Sequence, residues 1–312
     1  MEKIVKMKYE KITGLVAAPF TPMHVDGSVN FDVIGIYAEH LINSGVKGAF
    51  VCGTTGESAS LTLDERKQIA QQWVDVAAGR LKIIVHAGSN CLAESAMLAA
   101  DAQEMGADAV ASICPCYFKP ANVSLLVQSV QQIADACPQL PFYYYHIPSL
   151  TGVNFPIASF LSQAGDVIPN LAGIKFTYEN IMDFMACMSI DNGRFDMLFG
   201  RDEMLLSGLA AGAQGAVGST YNFAGPIYLK TIEAYHVGDM ALAQKYQKQA
   251  VAMIQLMIEY GGLAAGKAIM KMIGIDCGPA RLPLQALTEE QCQQLENKLQ
   301  MIGILEPSIA TQ

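Results

Sequence analysis

At 312 residues, with 52% hydrophobic and only 16% charged residues, the chain is long for an ordinary domain, suited to one α/β barrel, and too apolar for disorder. Its formal net charge of −9 and isoelectric point near 5.0 argue against nucleic acid or an anionic membrane as the main partner. An anionic small substrate stays open, because local groups dominate inside a pocket.

The first residues, Met1 to Lys11, mix Lys, Glu and Tyr and lack the apolar core of a signal peptide. No apolar run reaches the roughly 20 residues that span a bilayer. Asn122-Val123-Ser124 matches a glycosylation acceptor, read as chance without a secretion signal. A cytoplasmic location is therefore expected.

From residue 14 to about residue 236, short apolar runs alternate with helical patterns. The strand candidates are Gly14–Thr21, Gly48–Gly53, Lys82–Gly88, Ala107–Cys114, Pro141–Ile147, Leu171–Thr177, Phe195–Gly200 and Gly215–Ser219. Helical patterns lie between them at Asn30–Ser44, Thr62–Ala78, Cys91–Met105, Asn122–Ala136 and Glu203–Ala211. Nearly all-apolar strands, each followed by a helix, predict a parallel sheet covered by helices. Eight such units at this length favour a closed (β/α)8 TIM barrel over an open doubly wound sheet. Thr62 and Glu65 form a capping-box pattern, and Asp202 stands at a helix start. The barrel is expected over residues 1–236. A helical extension over 237–312, with helices at Gly238–Tyr260, Gly262–Ile273 and Thr288–Met301, is expected to pack on its flank or at an oligomer interface.

Eight cysteines are scattered along the chain, and Cys114-Pro115-Cys116 is the only close pair. Neither they nor the five histidines fall at zinc-site spacing, so buried free thiols and no metal are expected.

Catalytic groups of such barrels sit at the C-terminal ends of the strands and in the loops that follow. On Gly173-Ile174-Lys175-Phe176-Thr177, alternation sends Ile174 and Phe176 toward the helices and Lys175 and Thr177 into the barrel. A buried ion pair is the competing use for Lys175, but strands five to seven supply no evident carboxylate at its level. Desolvation would lower the amine's pKa and yield the neutral nucleophile that a Schiff base requires. On the neighbouring strand, the same alternation sets Tyr143 and Tyr145 against Tyr144 and His146. Tyr145, near the strand's end beside Lys175, is placed to pass protons. His146 is expected to face the helix layer as a hydrogen-bonded structural histidine.

After the second strand, Gly53-Thr54-Thr55-Gly56-Glu57-Ser58 reads either as an ordinary glycine-rich turn or as a cradle for a carboxylate, and Lys175 favours the cradle. In Gly200-Arg201-Asp202-Glu203 the two carboxylates read equally as helix caps or as acceptors for substrate hydroxyls.

Together these motifs resemble the dihydrodipicolinate synthase/N-acetylneuraminate lyase family of pyruvate-dependent aldolases, over nearly the whole chain from Gly14–Pro22 onward. The most specific pieces are the Gly53–Ser58 turn, Tyr145-His146-Ile147-Pro148 and Gly173-Ile174-Lys175. Within the family, Tyr143–Val153, Gly200–Glu203 and Gly218-Ser219-Thr220-Tyr221-Asn222 are similar to the lyase branch. The synthases place an arginine two residues after the proline; here that position is Leu150, expected to offer an apolar contact instead.

The resemblance implies an imine between Lys175 and a C2 ketone, with Thr54 and Thr55 on the C1 carboxylate and Tyr145 as proton relay. It implies that Thr177, Gly200, Asp202, Glu203 and Ser219 contact the polyhydroxyl chain of sialic acid. Tyr117 matches a family tyrosine that reaches into a neighbouring subunit's site and meets Thr55, although Cys114–Pro120 departs from the family's commoner pattern. No metal or organic cofactor is implied, since lysine supplies the electron sink. A homo-oligomer, tetramer or dimer, is implied. The competing readings are an aldolase or synthase for another keto-deoxy sugar acid, and a non-catalytic keto-acid sensor.

Overall fold

Eight parallel strands close on themselves in chain order in the computed structural model, which describes residues 7–306. The strands are β1 (Gly14–Ala17), β2 (Gly48–Val51), β3 (Lys82–His86), β4 (Ala109–Ser112), β5 (Phe142–His146), β6 (Leu171–Phe176), β7 (Asp196–Phe199) and β8 (Gly215–Gly218). Around the barrel run α1 (Asp32–Asn43), α2 (Leu63–Ala77), α3 (Leu92–Glu104), α4 (Val123–Ala134), α5 (Pro148–Thr151), α6 (Ile157–Ala164), α7 (Ile181–Met188), α8 (Leu205–Ala210) and α9 (Tyr221–His236). Beyond them lie α10 (Met240–Glu259), α11 (Leu263–Met272) and α12 (Glu289–Met301). The closed barrel is the fold expected from the alternation of apolar runs and helical patterns.

Apolar strands form here because both faces are covered. Val16, Phe50, Ile84, Ala111, Tyr145 and Leu198 pack inside the barrel. The alternate positions Ile83, Val85, Val110, Tyr144, Ile174 and Phe176 join the larger core under the helices.

Every strand is shorter than its apolar run. The tails leave the ladder after one further backbone bond, such as Thr177 N–H to His146 O at 2.8 Å and Gly200 N–H to Phe176 O at 2.8 Å. Several tail residues, Ala18, Ile147, Thr177, Gly200 and Ser219 among them, line a pocket at the C-terminal end of the barrel.

Helix starts follow the local chemistry. The Thr62–Glu65 capping box is closed in both directions. Asn122, first residue of the acceptor-like triplet, caps α4 by accepting the Leu125 N–H at 2.9 Å. In α9, Pro226 cannot donate to the carbonyl four residues back, and the helix is irregular at Ala224. That carbonyl, of Asn222, meets His40 Nε2 at 2.8 Å instead.

The extension packs on the flank of the barrel. α10 lies against α9, α8, α11 and α12, burying Ala243, Ala250, Met253 and Met257 on one stripe. Gln247 of α10 grips the turn after β7, donating to Asp202 O at 3.1 Å and accepting the Leu206 N–H at 2.9 Å.

The cysteines are all free, and five are buried as expected. Cys91 is exposed and Cys116 and Cys292 are half-buried, which corrects the expectation for those three. They fall at a helix boundary, in a loop and on the outer helix α12, places an apolarity argument does not resolve. Among the described residues no helix is long and apolar enough to cross a membrane.

Candidate active site

A cavity of roughly 300 Å³ opens at the C-terminal end of the barrel. Its floor is built by Lys175 and Tyr145, its walls by the loops after β2, β6, β7 and β8, and part of its mouth by α10 and α11.

Lys175 is 4% exposed and pairs in register with Tyr145 on one side and Leu198 on the other. Its ammonium nitrogen lies 3.7 Å from the centre of the Phe50 ring and 4.0 Å from that of Tyr145. Among the described residues no carboxylate closes an ion pair with it, so the competing structural use fails. Burial pulls its pKa down to about 7, with the Asp202 charge opposing. Near neutral pH a large share of the amine is therefore uncharged.

Tyr145 stacks edge-on to Phe50 and His86, and its hydroxyl lies 3.3 Å from Thr54 Oγ1. Burial pushes the phenol up to about 12, with the Thr54 hydroxyl opposing, so it is protonated throughout the neutral range. His86 supports this corner: its Nδ1 meets Cys52 O at 2.8 Å, and burial followed by the Arg66 charge holds its pKa well below the usual range.

Thr54 and Thr55 stand at the tip of the turn after β2 and line the cavity. Cys52 and Glu57, which flank them, both adopt left-handed backbone with φ 55° and 58°. Non-glycine residues hold that conformation only where the surroundings impose it. Thr21 Oγ1 fixes the same turn, donating to Gly56 O at 2.7 Å.

Opposite the threonines stand Thr177, Gly200, Asp202, Glu203 and Ser219. The Thr177 hydroxyl is buried at the cavity wall, close enough to the Tyr145 phenol to help hold its pKa down. Asp202 is 5% exposed, and its Oδ2 accepts the Thr220 N–H at 2.8 Å and the Thr220 hydroxyl at 2.7 Å. Burial lifts its pKa to about 6 while the Thr220 bonds hold it down, leaving it ionised at pH 7. Asp202 and Glu203 both stand in the first turn that begins at Asp202 but make no cap hydrogen bond there, and Asp202 instead accepts the Thr220 N–H at the start of α9. Close approach explains two glycines here. A Cβ at Gly200 would overlap the Thr177 hydroxyl, and one at Gly218 would overlap the Asp202 carboxylate.

Nine of the residues singled out in the sequence thus meet in one cavity: Lys175, Tyr145, Thr54, Thr55, Thr177, Gly200, Asp202, Glu203 and Ser219. Tyr117 does not join them; it lies in the loop after β4, 79% exposed beside the equally open Phe118. Leu150 is 61% exposed on α5 and does not line the cavity, so the apolar contact expected of it is absent. Its side chain turns to solvent because the short helix after Pro148 buries Thr151 instead. His146 faces the helix layer among Tyr144, Phe176 and Tyr178, but neither ring nitrogen has a hydrogen-bond partner among the described residues. The expected hydrogen bond is missing because aromatic rings surround it, and that apolar burial drops its pKa to about 3.

Sequence reasoning missed three features. Arg201 lines the cavity but its charge is spent on ion pairs with Glu179 and, at 3.3 Å, Glu203. Ile254, Met257, Ile258 and Leu263 bring the extension to the mouth of the cavity. Glu57 forms a buried ion pair with Lys267 of α11. A helical period locates the extension but not the face it turns to the barrel, and nothing local links residue 57 to residue 267.

The dihydrodipicolinate synthetase family model matches residues 11–302. The N-acetylneuraminate lyase of Rattus norvegicus is 44% identical over 301 residues, covering 95% of this chain and 94% of its own. That of Homo sapiens is 44% identical over 303 residues, covering 95% and 94%. The solved structure of Proteus mirabilis N-acetylneuraminate lyase superposes with a TM-score of 0.93 at 42% identity, covering 95% of this chain and 100% of that one.

Proposed function

The chain belongs to the dihydrodipicolinate synthetase family, and on that premise we propose that it is a Schiff-base aldolase that cleaves N-acetylneuraminate to N-acetylmannosamine and pyruvate, and runs the reverse condensation. The observation that carries the reading is Lys175: a buried, unpaired amine with its pKa near 7, aimed into the cavity beside a protonated phenol.

The chemistry follows from the positions. The neutral amine adds to the C2 ketone, and the hydroxyl so formed leaves as water with the Tyr145 proton, giving a protonated imine at Lys175 and a phenolate. Thr54 and Thr55 hold the C1 carboxylate. As the C4 hydroxyl gives its proton to that phenolate, the C3–C4 bond breaks and its electrons flow to the imine nitrogen. The aldehyde sugar departs, C3 of the enamine takes the proton now on Tyr145, and water adds to the imine, returns a proton to the phenolate, and releases pyruvate and the neutral amine. Lysine provides the electron sink, so the reaction needs no added cofactor.

The far end of the cavity favours hydroxyls over a second carboxylate. Asp202 and Glu203 accept hydrogen bonds, Thr177 and Ser219 add partners, and among the described residues the cation there, Arg201, is already paired with Glu179 and Glu203. That replaces the argument from Leu150, which lies outside the cavity. The same reading takes the enzyme to be a cytoplasmic homo-oligomer. The eight free cysteines suit a reducing compartment, and exposed Tyr117 and Phe118 suit a subunit boundary across which Tyr117 reaches Thr55.

Pyruvate release from N-acetylneuraminate, keto-deoxy-gluconate and 4-hydroxy-2-oxoglutarate tests the assignment. N-acetylneuraminate is expected to give the highest kcat/KM. A higher value for either of the others removes the substrate assignment and leaves the aldolase; no turnover and no imine with pyruvate removes both.

A further inference from the structure

Among the described residues two lysines are buried. Lys175 lies in the cavity, while Lys267, 3% exposed on α11, lies outside it. The Lys267 ammonium forms an ion pair with Glu57 Oε1 at 2.7 Å and donates to Pro279 O at 2.8 Å. Glu57 is 5% exposed, and its other oxygen, Oε2, accepts the backbone N–H of Arg281 at 2.8 Å. Both contacts come from the extension and both end on one side chain of the turn that carries Thr54 and Thr55.

The placement is costly unless it does something. Two ions taken out of water regain little net stability from each other, so a buried pair is poor as simple glue. Burial indeed presses the Lys267 pKa down, with the Glu57 charge opposing. Glu57 also pays a backbone cost, since it holds left-handed φ at 58°. What the pair does fix is direction. Glu57 follows Thr54 and Thr55 by three and two residues, its N–H bonds to Thr54 O at 3.0 Å, and its carbonyl accepts the Ser60 N–H at 2.8 Å. Anchoring its carboxylate from outside therefore sets the pitch of the whole turn.

We infer that Glu57 and Lys267 are positioning residues that hold Thr54 and Thr55 in register with Lys175, so that the C-terminal extension presets the carboxylate end of the active site. The inference rests on the proposed aldolase reading, because it assigns the threonines to the substrate carboxylate. Neither residue touches substrate. Lys267 is not a second nucleophile, since its ammonium is paired and walled off from the cavity.

The test is the pyruvate concentration that gives half-maximal borohydride trapping at Lys175, measured by mass spectrometry on the full-length protein. Lys267→Met and Glu57→Gln should each raise that concentration roughly tenfold, with the rate at saturating pyruvate changed far less. The double variant should be no worse than the poorer single one, because both remove the same pair. It also leaves no uncompensated charge, so it carries the test if a single variant fails to fold. Lys267→Arg should recover part of the loss. Leu299→Ala, which loosens α12 without touching the turn, is the control for general destabilisation. An unchanged half-saturation in the double variant, or an equal rise in Leu299→Ala, overturns the inference. Wild-type protein that traps no pyruvate refutes the aldolase reading instead, so the two failures are distinct.

Discussion

The Lys175 ammonium nitrogen lies 4.0 Å from the centre of the Tyr145 ring, and the two residues are register partners across the β5–β6 ladder. Burial sets both charge states, lowering the pKa of the amine and raising that of the phenol. The dry surroundings disfavour the protonated amine, the Asp202 charge favours it less strongly, and the balance falls near pH 7.

Only the uncharged amine attacks a ketone, so the pH dependence of imine formation reports that balance. The lysine pKa is depressed, so the reactive fraction rises as pH climbs through about 7 and is complete above it. The initial rate of trapping at Lys175 should therefore level off above roughly pH 8. An ordinary lysine would gain about tenfold per unit up to pH ~10. A rate still climbing tenfold per unit between pH 8 and 10 would show that Lys175 is not desolvated.

Tyr145→Phe keeps the ring beneath Lys175 and removes only the hydroxyl that meets Thr54. If the phenol moves the C4 hydroxyl proton, kcat for cleavage should fall roughly 10²–10⁴-fold while pyruvate is still trapped at Lys175. Near-normal kcat would reduce Tyr145 to a packing residue.

Gly218→Ala separates the two ends of the cavity. The added methyl group would overlap the Asp202 carboxylate and push it from Thr220, far from the threonine turn. Cleavage of N-acetylneuraminate should lose about 10² in kcat/KM, because a displacement of an ångström is costly in a preset site. Trapping of pyruvate should change far less, since Asp202 bears on Lys175 only through its charge. Equal loss of both would mean that the substitution disturbs the barrel rather than the sugar end.

The barrel was legible because its strands are buried on both faces, so apolar runs and strand positions coincide. Lys175 stood out for the same reason, as a charge where the pattern allows none. The run ends were less legible: Thr177 and Gly200 continue the apolar runs but have left the ladder to form the rim. The least legible part was the extension's share in the site. Glu57 and Lys267 lie 210 residues apart and meet only through the packing of α11 on the barrel, which no local period encodes. Leu150 shows the converse limit, since its place in a loop motif said nothing about where its side chain would point.

Arg281 offers the clearest test of how the extension is fastened to the barrel. Its guanidinium donates to Gly27 O at 2.7 Å and Ser60 O at 2.7 Å, and forms an ion pair with Glu65, the residue that closes the α2 capping box. The guanidinium is the main reason the Glu65 carboxyl falls from the ordinary value of 4.5 to about 2. A depressed carboxylate adds stability that is present above the unfolded pKa and fades as pH falls toward the folded one. Partial solvent contact screens the pair, leaving about 1–2 kcal/mol to it, with the carbonyl bonds adding a share that does not titrate. Arg281→Ala should therefore lower the urea midpoint at pH 7, and the gap from wild type should narrow as pH drops from about 4.5 toward 2. A gap that stays constant across that window would assign the whole effect to the carbonyl bonds. No gap at all would mean that Lys267 and Glu57 fasten the extension without help from this side chain.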